Sequence, residues 1–158
     1  MNLLILCTGN SARSILLEHI FNGESNRRVT AWSAGSCPTG TVDPQALKLL
    51  QTKGYHWHMA RSKSWDEFAK PDAPHMDVVL TVCSKASGET CPLWPGAPVR
   101  GHWGVNDPAA APEDHQAEAF KMTFQELYDA AHAFLDQKFE AMTPEELTVC
   151  LREIGSSL

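Results

Sequence analysis

The chemically most suggestive part of the chain is a loop near the N-terminus, between a short apolar run and a helical pattern. Its residues are Cys7, Thr8, Gly9, Asn10, Ser11, Ala12, Arg13 and Ser14. A loop that turns into a helix N-terminus directs several backbone N–H groups at one point, and the guanidinium of Arg13 adds a two-pronged donor. Gly9 and Asn10 tolerate the positive φ angles that such a turn requires. The pattern therefore predicts a binding loop for a tetrahedral oxyanion.

The thiol of Cys7 lies in the positive field of this loop. An ordinary cysteine, with a pKa near 8.5, is only about 3% thiolate at pH 7, whereas helix N-termini and nearby cations lower that pKa to roughly 3.5–7.5. Ser14 could also donate a hydrogen bond to the sulfur. We expect Cys7 to be a thiolate nucleophile aimed at the oxyanion that Arg13 holds. The alternative is a buried cysteine at a strand end beside a surface arginine.

Two further loops carry groups that could take part in such chemistry. Cys83 and Cys91 are separated by seven residues. They suggest a relay in which Cys83 attacks a Cys7 adduct and Cys91 attacks the resulting disulfide. Asp107 could protonate a leaving oxygen. The alternatives are structural thiols and an aspartate that caps the turn before Pro108.

No metal site is expected, because the chain has no Cys-x-x-Cys pair and its histidines are scattered. Cys37 lies in a loop, and Cys150 lies on the apolar side of a predicted helix. We interpret both as bystanders.

The elements that must position these loops alternate between short apolar strands and helices. This alternation predicts an α/β fold, a parallel sheet with helices on both faces, whose active site lies at the carboxyl ends of the strands. The loops after residues 6, 82 and 103 should therefore meet. Strands are predicted at 2–6, 29–34, 77–82 and 99–103, and helices begin near Ser11, Pro44 and Ser64, after Asp114 and at Thr143, which opens a capping box.

Composition limits the classes of function. The chain has 158 residues with 13 basic and 19 acidic side chains, a net charge of −6, so we expect no nucleic-acid partner. The apolar run at Leu3 to Leu6 is too short for a signal peptide or a membrane span, so a cytoplasmic protein is expected. Structural disulfides are rare in that compartment, which leaves the five cysteines for other roles.

Four motifs together resemble arsenate reductases of the low-molecular-weight protein tyrosine phosphatase fold. They are the loop 7–14, the strand end at 33–35, the Cys83…Cys91-Pro92 loop and the His-Trp-Gly…Asp107-Pro108 segment. The resemblance covers residues 1–139, and residues 140–158 are a helical extension without a counterpart. It implies a three-layer, four-stranded parallel sheet.

The resemblance also implies the roles of the site residues. Cys7 would attack arsenate, held by Arg13 and the loop amides, while Asp107 acts as general acid. Cys83 would release arsenite and form a disulfide with Cys7, and Cys91 would then form a disulfide with Cys83. No bound cofactor is implied; the reductant is external, either thioredoxin or glutathione with glutaredoxin. The latter is an alternative because the Cys83–Cys91 gap is one residue longer than in thioredoxin-linked members.

Some members bind a structural potassium ion through residues resembling Asn10, Glu18 and Ser33. Here Lys63 stands at the position of a further acidic ligand, so its ammonium could replace the ion. A phosphatase of small phosphomonoesters or phosphotyrosine is the second candidate function, because Cys7 and Asp107 suffice for it. The Ala109-Ala110 pair after Asp107-Pro108 favours the reductase over that phosphatase. A non-catalytic oxyanion-binding module is the third candidate, and the intact Cys7 and Asp107 argue against it.

Overall fold

The computed structural model describes residues 1–83 and 98–158. Four parallel strands form one sheet in the order β2-β1-β3-β4. The strands are β1 (Asn2–Leu6), β2 (Thr30–Ala34), β3 (Val78–Thr81) and β4 (Val99–His102). The helices are α1 (Arg13–Glu24), α2 (Pro44–Thr52), α3 (Gln116–Leu135) and α4 (Pro144–Gly155).

The central strand β1 shows why the chain forms a layered fold. Its side chains alternate between the two faces, and all four of its apolar residues are buried. Leu3 and Ile5 join the larger core, to which all four helices contribute. Leu4 and Leu6 face a smaller cluster on the other side that contains Phe68. That residue belongs to a 3-10 helix over Trp65–Phe68.

The predicted α/β class with a four-stranded parallel sheet is confirmed. β1 has the predicted bounds, and the other strands are shorter than predicted by one or two residues. Hydrogen bonds continue past two strand ends, from the Val82 N–H to Leu6 and from the Trp103 N–H to Thr81. Helix α1 begins at Arg13 rather than near Ser11, because the preceding residues wrap into the loop.

Local capping signals mark the start of α2 and of a short 3-10 helix. Asp43 accepts a hydrogen bond from the Gln45 N–H at the start of α2, where Pro44 occupies the first turn. The loop predicted from Asp107 contains a 3-10 helix over Pro108–Ala110, because Asp107 caps it and proline has a helical φ.

The C-terminal helix α4 packs into the same core as the rest of the chain. Its Leu147 and Leu151 are buried. The predicted capping box is present, with Thr143 and Glu146 each bonded to the other's backbone N–H. Among residues 1–83 and 98–158, no helix is long and apolar enough to cross a membrane.

We expect Thr143→Ala to lower the free energy of unfolding by about 1 kcal/mol, because an N-cap side chain satisfies a free backbone N–H. Urea unfolding followed by circular dichroism measures the change. Thr148→Ala is the matched control. Its hydroxyl bonds only to the Pro144 carbonyl of the same helix, so it should be near neutral. Equal effects of the two variants would contradict a capping role.

Candidate active site

The carboxyl ends of β1, β3 and β4 bring residues from three predicted site segments to one edge of the sheet. Cys7 follows β1 and Cys83 lies two residues beyond β3; both side chains are buried. Asp107 lies beyond β4, and its carboxylate contacts Arg13 of the first loop. The topology therefore places two thiols, a guanidinium and a carboxyl at this edge.

Asn10 holds the shape of the loop over residues 7–14. Its φ is +42°, in the left-handed region that asparagine tolerates better than most residues. The Asn10 Nδ2 group donates to Ser14 Oγ at 3.0 Å and Ser33 Oγ at 2.8 Å, and its Oδ1 accepts from the Lys63 N–H at 2.7 Å. Gly9 also tolerates a positive φ, but among residues 7–14 Asn10 alone adopts one.

A glycine on the neighbouring strand end lets the loop approach β2. A Cβ atom on Gly35 would lie 2.4 Å from the Thr8 carbonyl oxygen, too close for any side chain. Just beyond, the Cys37 and Thr39 N–H groups donate to the Thr8 and Gly9 carbonyls at 3.0 Å each. These contacts hold the Thr8 and Gly9 carbonyls on the side of the loop that faces the segment after β2.

Arg13 is held from the β4 side by two acceptors. Its Nη1 donates to the Val105 carbonyl at 3.1 Å, and its Nη2 lies 2.9 Å from Asp107 Oδ2. The Arg13 Nε is buried and makes no hydrogen bond within the described residues. A buried charged donor of this kind is costly unless an acceptor reaches it. The guanidinium is thus oriented and has donor capacity left for an oxyanion.

Asp107 caps a turn, as one interpretation of its sequence context predicted, and its role as general acid stays a prediction. One carboxylate oxygen accepts from the Ala109 N–H at 3.3 Å and caps the 3-10 helix, while the other pairs with Arg13. The carboxyl is 44% exposed, so protons from solvent can reach it. A general acid at this position is therefore compatible with a capping role.

The Cys7 and Cys83 side chains are both buried at the ends of paired strands. The Cys83 side chain and burial raise the pKa of Cys7 above its ordinary value, while the charge of Arg13 and the Gly9 N–H lower it. This direction is opposite to the lowered pKa predicted for Cys7 from the cation and the amides of the loop. The second thiol and the burial oppose those groups, and whether Cys7 reacts as a thiolate stays a prediction.

Polar loop side chains surround the thiol pair. The Thr8 hydroxyl lies 3.7 Å from Cys83 Sγ, within hydrogen-bonding distance for sulfur. The buried Ser14 hydroxyl accepts from Asn10, and its donation to Cys7 stays a prediction. The mechanistic roles predicted for the residues of this loop likewise stay predictions.

A buried lysine supports the loop from behind. The Lys63 Nζ lies 3.2 Å from Glu18 Oε2 and 3.4 Å from Ser33 Oγ, and the Ser33 hydroxyl also donates to Glu18. The ammonium therefore occupies the cluster in which the family resemblance implied a potassium ion. Across residues 1–83 and 98–158, no three metal-ligating side chains lie together in an arrangement able to hold a metal ion.

The remaining cysteines differ in position. Cys91 lies outside the described residues, so its part in a relay stays a prediction. Cys37 is an exposed free thiol, and Cys150 is a half-buried free thiol on α4. Val105 was not among the residues predicted for the site. It contacts Arg13 through its backbone carbonyl. Every residue type has such a carbonyl, so no sequence signal could have identified it.

Comparison with known proteins agrees with this geometry. Residues 2–145 match the model of the low molecular weight phosphotyrosine protein phosphatase family. The chain belongs to this family. Within it, the chain is 35% identical over 107 residues to an arsenate reductase of Bacillus licheniformis, which covers 67% of this chain and 73% of that protein.

Solved structures show the same family fold. The low molecular weight protein tyrosine phosphatase from T. tengcongensis is 25% identical, with a TM-score of 0.66 over 90% of this chain and 99% of that chain. The thioredoxin-dependent arsenate reductase of Corynebacterium glutamicum is 20% identical, with a TM-score of 0.56 over 83% of this chain and 61% of that chain. The family thus contains both phosphatases and arsenate reductases.

We expect Cys83→Ala to lower the pKa of Cys7, because the Cys83 side chain is the main cause that raises it. The measurement is the rate of iodoacetamide alkylation at Cys7 against pH, with the labelled peptide identified by mass spectrometry. The midpoint should move to lower pH. Cys150→Ala is the control and should leave it in place; an unmoved midpoint in Cys83→Ala would refute the coupling of the two thiols.

We expect Lys63→Met to destabilise the fold by about 3 kcal/mol, because it leaves the mostly buried Glu18 carboxylate without its ammonium. Chemical denaturation measures the loss. Adding Glu18→Gln to Lys63→Met should restore part of it.

Arg61→Met is the matched control for that experiment. It breaks the ion pair with Glu67, in which both side chains are exposed, and should cost about 1 kcal/mol or less. If Lys63→Met lowered the free energy of unfolding no more than Arg61→Met does, the buried ion pair would contribute no more to stability than this exposed one.

Proposed function

We propose that this protein reduces arsenate to arsenite, with Cys7 as nucleophile and Cys83 as the thiol that takes over the bond. One observation carries the proposal: Cys83 is buried at the oxyanion-binding loop, because β3 pairs with the strand that leads to Cys7, and its Sγ lies 3.7 Å from the Thr8 hydroxyl of that loop. Hydrolysis of a phosphate ester needs one thiol. A reduction that ends in a disulfide needs two thiols within reach of each other.

The first step is binding of the oxyanion by residues 7–14. Arg13 directs its guanidinium to the site, and the N-terminus of α1, which has no side-chain cap, adds backbone N–H groups. A bound dianion would compete with Asp107 for Arg13 and repel the carboxylate. That competition favours delivery of a proton from Asp107 to the leaving oxygen.

The second step forms the covalent adduct. The Cys7 sulfur attacks arsenic, an As–O bond breaks, and the oxygen leaves as water after taking a proton from Asp107. The proton of the Cys7 thiol replaces the one that Asp107 gives up.

The third step is the redox step. The Cys83 sulfur attacks Cys7, an S–S bond forms and the S–As bond breaks. The electron pair of that bond stays with arsenic, which falls from the +5 to the +3 state and leaves as arsenite, and the arsenite takes up the proton of the Cys83 thiol. Cys91 then attacks Cys83, which frees Cys7 and leaves a Cys83–Cys91 disulfide for an external dithiol to reduce.

We assign the external reductant to the thiol–disulfide class, thioredoxin or glutathione with glutaredoxin. The thioredoxin dependence of the Corynebacterium glutamicum relative supports the first. Such a cycle requires a reducing compartment, and we therefore place the protein in the cytoplasm. All the groups named in the mechanism lie within residues 1–139, and we treat residues 140–158 as an extension of that domain.

A phosphatase activity is the second candidate. The Cys7, Arg13 and Asp107 arrangement and the likeness to the T. tengcongensis phosphatase favour it. Its path would stop at a phosphocysteine that water hydrolyses, without any role for Cys83. The two functions are thus separated by one residue.

We expect Cys7→Ser and Cys83→Ser to reduce arsenate-dependent NADPH oxidation to background, because each removes a sulfur of the first disulfide. The assay supplies either thioredoxin with its reductase or glutathione with glutaredoxin. Cys91→Ser should stop the thioredoxin cycle and accumulate the Cys7–Cys83 disulfide, detectable by mass spectrometry. Cys37→Ser and Cys150→Ser are the controls and should retain turnover.

The outcome that rejects the relay is also specific. Arsenate turnover retained in Cys83→Ser would exclude it. If the wild type hydrolyses para-nitrophenyl phosphate, uses no arsenate, and the Cys83→Ser variant hydrolyses it equally well, the protein is a phosphatase. Normal turnover of Cys91→Ser with glutaredoxin would show that the second internal disulfide is unnecessary.

A further inference from the structure

Helix α4 lies mostly beyond the match to the family model, which ends at residue 145. Nevertheless it packs closely against β4. A Cβ atom on Gly101 would lie 3.2 Å from Leu151 Cβ, and one on Gly155 would lie 2.2 Å from the His102 carbonyl oxygen. The two glycines therefore let the helix sit directly on the backbone at the end of β4.

The residue that follows β4 is fixed by this helix. Trp103 is fully buried, and its indole Nε1 donates to the Leu151 carbonyl at 3.0 Å. Its ring also packs against Phe21 and Phe134. If the Leu151 carbonyl moved away from this position, the buried indole N–H would lose its acceptor, which is unfavourable for a buried donor.

The segment after Trp103 carries both groups that orient Arg13. The Val105 carbonyl and the Asp107 carboxylate lie two and four residues further on, and each accepts a hydrogen bond from the guanidinium. The segment's own backbone bonds to the sheet are few: the Trp103 N–H to Thr81 at 2.8 Å and the Val105 N–H to Val82 at 3.4 Å. The position of Trp103 is therefore a main constraint on both acceptors.

We propose that α4 is a positioning element of the active site: through Leu151 and Gly155 it fixes Trp103, and thereby holds Val105 and Asp107 where they orient Arg13. This inference deepens the proposed function and rests on it for its catalytic consequence. Its structural part stands on the hydrogen bonds and close approaches alone. A helix that only stabilised the fold would need no hydrogen bond to Trp103. The segment that orients Arg13 begins at this residue.

The test uses two variants of the full chain that loosen this contact without touching Arg13, Val105 or Asp107. Gly155→Ala adds a methyl group against the His102 carbonyl and displaces the helix end. Trp103→Phe keeps an aromatic ring but removes the Nε1 donor. Val149→Ala, on the exposed side of α4, is the matched control.

Two readouts separate positioning from stability. The first is the solvent-exchange rate of the Arg13 Nε–H signal in nitrogen-15 NMR, at a temperature where every variant is folded. The second is the dissociation constant for inorganic phosphate, by calorimetry. We expect both test variants to exchange Arg13 Nε–H faster and to bind phosphate roughly tenfold more weakly, since small misplacements of an orienting group have large effects. The control should match the wild type.

Folded test variants with wild-type exchange and phosphate affinity would overturn the inference and leave α4 as a stabilising helix. Failure of the proposed function has a different signature: the wild type would not reduce arsenate, while the variants would still differ from it in exchange rate. If Gly155→Ala does not fold, Trp103→Phe decides by the same readouts. If the wild type binds no phosphate, the exchange rate decides.

Discussion

The placement of two buried thiols at the ends of neighbouring strands is the constraint on which the site depends. Cys7 and Cys83 follow the paired parallel strands β1 and β3, so the register of these strands sets the separation of the two thiols. This placement has two consequences that oppose each other. Cys83 raises the pKa of Cys7, and in the proposed mechanism Cys83 stays within reach once Cys7 carries an adduct. A chain selected only for the first bond to an oxyanion would gain nothing from the second thiol.

Charge is distributed in a way that suits this chemistry. The chain carries a net charge of −6, which repels anions at long range. Arg13 and the start of α1 supply a local positive field, and Asp107 neutralises part of it. Behind the loop, Lys63 pairs with Glu18, so its buried charge supports the loop's shape through Ser33 and Asn10 without adding a free cation to the substrate side.

The oxyanion loop is thus fixed from three directions. Gly35 and the strand end of β2 hold its carbonyl side, Asn10 and the Lys63 cluster hold its interior, and the segment after β4 orients its arginine. The third support depends on α4, through Trp103. A catalytic loop near the N-terminus and a helix at the C-terminus are therefore parts of one packed structure, although more than 100 residues separate them in the chain.

Most strands and helices, and the residues able to do chemistry, can be predicted from the amino-acid sequence. Local signals decide these features: alternating burial in β1, the Asp43-Pro44 cap, the Thr143 capping box and the residue types of loop 7–14. Three other features depend on the tertiary structure. They are the direction in which the pKa of Cys7 shifts, the hydrogen bond from Arg13 to the Val105 carbonyl, and the packing of α4 into the core. The physical reason is common to all three. Each depends on groups that are far apart in the chain and whose distance is set by strand order and packing. A pKa shift or a contact to a backbone carbonyl cannot be predicted from residue types alone.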